Sequence, residues 1–193
     1  MIAAVVFDLD GVLVDSEPVW EQVRRRVVAE HGGHWDADTQ DRLMGMSTGE
    51  WSRYLSEDLG VRLSPAEVAR AVVAEMAARY RRHLPLLPGA VEAVTRMAER
   101  WTLGLASSSP RLLIDAVLDA AALRDRFAAT VSTEEVDRGK PAPDVYLTAA
   151  ARLGVAPKAC AAIEDSSNGL RAAAAAGCQV IAAPQRAYPP AAD

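Results

Sequence analysis

Apolar residues along the chain fall into two periods. Short unbroken runs recur at Ala3–Phe7, Thr102–Ala106, Phe127–Ser132, Ala159–Ile163 and Gln179–Ala183, the pattern of strands covered on both faces. Between them the apolar positions return every three or four residues. Val19-Trp20, Val23 and Val27-Val28 trace a helix that Gly32-Gly33 stops. A second helical stretch around Thr39–Leu43 breaks at Met44–Gly49 and resumes near Glu50. Ser64-Pro65-Ala66-Glu67 is a capping box with proline at the first helical position, opening a third helix through Val68, Val72, Met76 and Tyr80. Ala90–Arg100, Arg111–Ala121, Ala142–Leu153 and Asn168–Ala176 read as four more, with Ser109 as N-cap and Pro110 at N1 of the second.

Alternating strands and helices predict an α/β fold, a Rossmann-like parallel sheet with right-handed crossovers and helices on both faces. From Glu17 to Pro85 no strand signal interrupts, so an all-helical cap domain is inserted after the first strand. The expected division is a core of residues 1–15 and 86–193 and a helical cap of 16–85, hinged near Ser16 and Pro85. Residues 186–193, with Pro189-Pro190, read as irregular.

Composition narrows the partners. The chain has 193 residues, half of them hydrophobic and 24% charged, an ordinary globular balance. Its net charge of −5 argues against nucleic acid, and Arg24-Arg25-Arg26 reads as a solvated helix face. Cys160 and Cys178 form no C-x-x-C, which suits two free thiols in a reducing cytoplasm. No basic region precedes an apolar stretch at the N-terminus, and no apolar run approaches the ~20 residues of a membrane span. A cytoplasmic, monomeric protein with neither a membrane nor a nucleic-acid partner is expected.

The candidate chemistry gathers where strands end. In such sheets the working groups lie beyond the carboxyl ends of the strands. Asp8 and Asp10, two apart on the first strand, point to one side. Two carboxylates about 4 Å apart repel by roughly 4 kcal/mol at an effective dielectric near 20, so a cation, a shared proton or solvent must separate them. Ser107-Ser108-Ser109 follows the second strand, Lys140 lies in the loop Gly139–Pro143, and Glu164-Asp165 ends the fourth strand. All-oxygen acidic donors suit magnesium, and the Ser109-Pro110 helix start suits an anion. A metal clamp beside an anion cradle is what phosphoryl transfer requires.

These pieces also resemble the haloacid dehalogenase superfamily, in its branch with a helical cap: Asp8-Leu9-Asp10-Gly11-Val12, Ser107, Lys140-Pro141 and Glu164-Asp165-Ser166 stand in the family's order over essentially the whole chain. The resemblance implies a phosphatase acting through an aspartyl-phosphate on Asp8, with Asp10 as general acid/base. Ser107, Ser108, Ser109 and Lys140 would hold the phosphoryl oxygens. Magnesium would take Asp8, Asp165, the backbone carbonyl of Asp10, and Glu164 directly or through a water. Ser16, Trp20 and the break Gly45-Met46-Ser47-Thr48 are the candidate contacts for the rest of a small phosphorylated metabolite, with Trp51 as a further apolar wall.

Two subgroups share this frame. Hexose-phosphate phosphatases resemble the chain in Asp15–Trp20, Pro85–Gly89, Gly104–Pro110 and Lys140–Leu147. β-Phosphoglucomutases carry an arginine where this chain has Thr48, a histidine in place of Trp20 and a lysine in place of Pro110. Without cations for a second phosphate, hydrolysis is expected over the mutase reaction. A phospho-acceptor signalling domain is the non-enzymatic alternative, but such domains have no helical insert after strand one. Relatives usually continue past the fifth strand into another strand and helix.

Overall fold

The computed structural model describes residues 1–43 and 46–183. Five parallel strands form one sheet in the order β3-β2-β1-β4-β5: β1 (Ala4–Phe7), β2 (Thr102–Ser107), β3 (Ala129–Ser132), β4 (Cys160–Glu164) and β5 (Gln179–Ala182). The central strand is the first in sequence, which places its carboxyl end between those of β2 and β4. Side chains alternate across the pleat. Val5, Phe7, Leu103, Leu105 and Ile163 join one core, while Ala4, Val6, Ala106, Val131 and Ala162 join the other.

Helices α5 (Ala90–Ala98), α6 (Arg111–Ala120), α7 (Asp144–Arg152) and α8 (Ser167–Ala175) alternate with the later strands. Four others lie between β1 and β2: α1 (Glu17–Glu30), α2 (Thr39–Leu43), α3 (Thr48–Arg53) and α4 (Pro65–Arg82), with a π turn at Tyr54–Asp58. This insertion shares a continuous core with one face of the sheet, Trp20, Val23, Trp51, Met76 and Tyr80 packing with Phe7 and Leu113 in one cluster. Its entry and exit are tied together, Asp15 N donating to Pro85 O at 2.8 Å and Leu87 N to Leu13 O at 2.9 Å. No helix among the described residues is long and apolar enough to cross a membrane.

Several boundaries differ from the sequence expectation for identifiable reasons. α3 starts at Thr48 rather than Glu50, because Ser47 and Glu50 form a reciprocal capping box. The third strand begins at Ala129 rather than Phe127. Arg124–Arg126 makes a 3-10 turn, and the Phe127 ring stands edge-on to Phe7 with centroids 6.0 Å apart. α7 begins at Asp144, past Pro143. At the start of α6 the cap position is Pro110, not Ser109, whose hydroxyl is engaged elsewhere.

β5, at the edge of the sheet, is exposed along its whole length. One expectation about exposure fails. Arg24 is not on a solvated face: Arg25 and Arg26 are exposed, but Arg24 is buried. The reason is helical phase, since position 24 lies four residues after buried Trp20. Cys160 and Cys178 are both free thiols. Gly45 and residues 186–193 lie outside the described residues.

Candidate active site

The ladder between β1 and β4 runs one residue past the strand, Asp8 N donating to Ile163 O at 3.0 Å. Asp8 therefore stands buried at the carboxyl edge of the sheet. The chain then turns sharply, Leu13 N and Val14 N both donating to Leu9 O. Gly11 makes the turn with φ +77°, and a Cβ there would fall 1.8 Å from Asp165 Oδ2. Glycine is required twice over at this position, for its backbone angle and for the approach of a carboxylate.

Glu164 ends β4 fully buried, and both of its carboxylate oxygens accept hydrogen bonds. Oε1 accepts from Tyr146 Oη at 2.7 Å and from Lys140 Nζ at 2.5 Å, while Oε2 accepts from Asp165 N at 3.2 Å and Ser166 Oγ at 3.1 Å. Gly169, on the first turn of α8, lies directly against it: a Cβ would come within 1.9 Å of the carboxylate. Lys140 arrives from the loop between β3 and α7. Its buried ammonium donates to Asp8 Oδ1 at 2.8 Å, to Ala106 O at 3.1 Å and to Glu164.

Crowding of these groups sets their charge states. Burial, reinforced by Glu164, lifts the Asp8 carboxyl well above the usual range against the pull of Lys140. Burial alone would depress the Lys140 ammonium, yet Asp8, Tyr146 and Glu164 hold it well above its ordinary value. Asp165 is raised to about 7, by burial first and then by Glu164. Asp8, Glu164 and Asp165 each offer a carboxylate oxygen, all within 4.8 Å of one another. Three hard oxygen donors facing a single ammonium fit a divalent cation such as magnesium. Asp10 is not in that group. Its Oδ2 accepts from Ser109 Oγ at 2.6 Å, which turns the side chain toward the loop after β2.

The acids open onto a crevice of about 670 Å³. On the sheet side it is lined by Asp8, Asp10, Ser108, Ser109, Lys140 and Asp165, and on the insertion side by Ser16, Trp20, Met46, Ser47, Thr48 and Trp51. Ser107 and Glu164 are not among its lining residues: both are fully buried, and Ser107 Oγ accepts from Ser109 N at 3.0 Å. The start of α6 is also less open to an anion than the sequence implied, because Arg111 N already donates to Glu134 Oε2 at 2.8 Å.

Sequence reasoning missed three contributors. Tyr146 and Gly169 brace Glu164 from α7 and α8, and neither residue type announces such a role. Arg24 lines the crevice with its guanidinium 4.7 Å from the Trp20 ring and 5.2 Å from that of Trp51. Its place on the apolar stripe of α1 was the available signal.

Known proteins resemble this chain along most of its length. Residues 2–177 match the family model of the haloacid dehalogenase-like hydrolases. Hexitol phosphatase B of Escherichia coli is 38% identical, the alignment covering 95% of this chain and 84% of that protein. A phosphorylated carbohydrates phosphatase of Thermotoga maritima is 34% identical over 92% of this chain and 83% of its own. Among solved structures, CbbY from Rhodobacter sphaeroides in complex with phosphate superposes with a TM-score of 0.86 at 28% identity, covering 96% of this chain and 87% of that one.

Proposed function

The chain belongs to the haloacid dehalogenase-like hydrolases, and from that premise we propose that it is a magnesium-dependent phosphatase of small phosphorylated sugars or sugar alcohols, working through an aspartyl-phosphate. One observation carries the reading. Asp8 sits within reach of both Lys140 and the Glu164–Asp165 pair at the floor of a crevice large enough for a small metabolite. The relatives named above act on hexitol phosphates and phosphorylated carbohydrates, which points to the same substrate class.

Asp8 and Asp165, with Glu164 behind them, would hold the metal, which when bound neutralises charge on the phosphoryl oxygens. The Asp8 carboxylate attacks phosphorus, and the bond to the substrate's ester oxygen breaks. Asp10, held through Oδ2 by Ser109, gives the departing alkoxide its proton from Oδ1. Water then attacks phosphorus and hands its proton to the Asp10 carboxylate, and the Asp8–phosphorus bond breaks to free phosphate. Lys140 offsets negative charge beside Asp8 throughout, with Ser108 and Ser109 close to the transferred group. Residues 16–85 act as a cap, closing water out of the crevice until the substrate is seated.

A mutase has less support. Thr48, Trp20 and Pro110 line the crevice and bring no cation for a second phosphate. The test is hydrolysis of a panel of phosphorylated metabolites with magnesium, compared with Asp8→Asn. Release of inorganic phosphate that disappears in the variant is expected. A stable stoichiometric phosphoprotein, or conversion of β-glucose 1-phosphate to glucose 6-phosphate without free phosphate, overturns the reading.

A further inference from the structure

Two buried side-chain polar atoms among the described residues, Arg24 Nε and Gln40 Oε1, lack a hydrogen-bond partner, and buried Ser16 Oγ and Tyr80 Oη have none beyond each other. Buried polar groups are ordinarily satisfied, so such a grouping calls for an explanation. All four gather near Glu17 and Asp10: Ser16 precedes Glu17, Gln40 Nε2 donates to Glu17 Oε2 at 3.2 Å, and the charges of Asp10 and Glu17 both act on Arg24 and Tyr80. Ser16, Glu17 and Arg24 line the same crevice as Asp8.

Arg24 is the unusual member. Its side chain is nearly fully buried, yet among the described residues no carboxylate lies within 4 Å to form an ion pair. The rings of Trp20 and Trp51, tilted 59° to each other with centroids 6.0 Å apart, lie 4.7 and 5.2 Å from the Arg24 guanidinium carbon and flank it on one side. Contact with aromatic rings engages the charge and supplies no oxygen acceptor for the N–H groups. A guanidinium supplies donors only, the neighbouring Glu17 carboxylate acceptors only, and the indoles apolar surface. Hydroxyls, which both donate and accept, on a carbon chain match that combination.

Charge decides against an anionic partner. Eight carboxylates line the crevice against two cations, Arg24 and Lys140, and Lys140 is committed to Asp8 and Glu164. A second phosphate placed at Arg24 would also face Glu17. We propose that Arg24 and Glu17, with Trp20 and Trp51, form a hydroxyl-reading subsite that selects monophosphate esters with a neutral polyhydroxylated chain. This rests on the phosphatase reading and adds to it the residues that choose the far end of the substrate.

Binding is measured in Asp8→Asn protein with magnesium, by quenching of tryptophan fluorescence, using a hexitol monophosphate, n-hexyl phosphate and a hexitol bisphosphate. The hexitol monophosphate should bind roughly 10- to 100-fold tighter than the hexyl ester, as expected for hydrogen bonds to buried charged groups. Adding Arg24→Met should erase most of that preference, and Arg24→Lys should restore little of it, because an ammonium does not reproduce the planar fork. A merely structural role for Arg24 would weaken both esters alike and leave the preference intact, which overturns the proposal. Tighter binding of the bisphosphate than of the monophosphate also overturns it. Should Arg24→Met fail to fold, Glu17→Gln tests the same subsite: a reduced preference for the hexitol supports it, and an unchanged one counts against it. Turnover by the unmutated protein is scored separately. Failure to hydrolyse any of the three esters counts against the phosphatase reading, whereas a preference that survives Arg24→Met counts against the subsite.

Discussion

Lys140 Nζ lies 2.8 Å from Asp8 Oδ1, although 131 residues of chain separate the two and neither is exposed. The same ammonium also bonds Glu164, so a single positive charge holds together two buried carboxylates from adjacent strands. Removing one partner of a buried ion pair leaves the others uncompensated, at a cost of about 3 kcal/mol or more. Lys140→Met should therefore lose stability on that scale as well as activity. Urea unfolding, followed in Lys140→Met, Glu164→Gln and the double variant, checks this: the two losses should be markedly non-additive.

Gly11→Ala should abolish magnesium binding while leaving the fold in place. The added methyl would meet the Asp165 carboxylate and strain a backbone at φ +77°. Calorimetric titration with magnesium, alongside far-ultraviolet circular dichroism, separates the two effects. Native-like spectra with magnesium affinity unchanged from the parent protein would rule out the close approach of Gly11 and Asp165.

Metal binding and pH should be linked through Asp165. Its folded carboxyl titrates at about 7, raised by burial and Glu164, whereas an unfolded aspartate titrates at about 3.9. Between those values the folded chain keeps a proton that the unfolded chain has released. This contribution is fully present below pH ~4 and is lost as pH rises through about 7. Protein kept in chelator should accordingly become less stable across that window. Because a metal ligand must be ionised, magnesium should raise the Tm more at pH 8 than at pH 6. Equal shifts at both values would show that Asp165 does not titrate at the metal.

A stability test away from the site concerns α4. Ser64 N and Oγ both bond Glu67 Oε2, at 2.9 and 2.6 Å, closing the capping box that opens the longest helix of the insertion. Ser64→Ala should cost about 1 kcal/mol, read as a lower urea midpoint with unchanged slope. Catalytic constants should not move, because the box is exposed and is not part of the crevice lining.

The strands and most helices could be read from the chain because each depends on local periodicity and caps. The run Ala4–Phe7 and the box at Ser64–Glu67 carry their structure within a few residues. The roles of Ser109 and Arg24 were not readable in this way. Ser109 is a plausible N-cap by sequence, yet its hydroxyl bonds Asp10, 99 residues away. Arg24 sits in a run of three arginines that looks solvated; its phase on α1 turns it inward, but the partners it meets there, Trp20 and Trp51 from different helices, are set by packing.

What the sequence determined by itself was the parallel α/β frame, the helical insertion and the set of acids, serines and lysine at the strand ends, because strand and helix periods and short motifs are properties of neighbouring residues. Only the tertiary structure decided which oxygens each group engages. It buried Glu164 behind Asp8 under Lys140 and Tyr146, and filled the start of α6 with the chain's own Glu134. It also set the Arg24 guanidinium on the crevice wall, within the influence of Glu17 and Asp10. Those outcomes depend on contacts between segments tens of residues apart, where packing and the low dielectric of the interior, rather than local propensity, determine where a charge can lie.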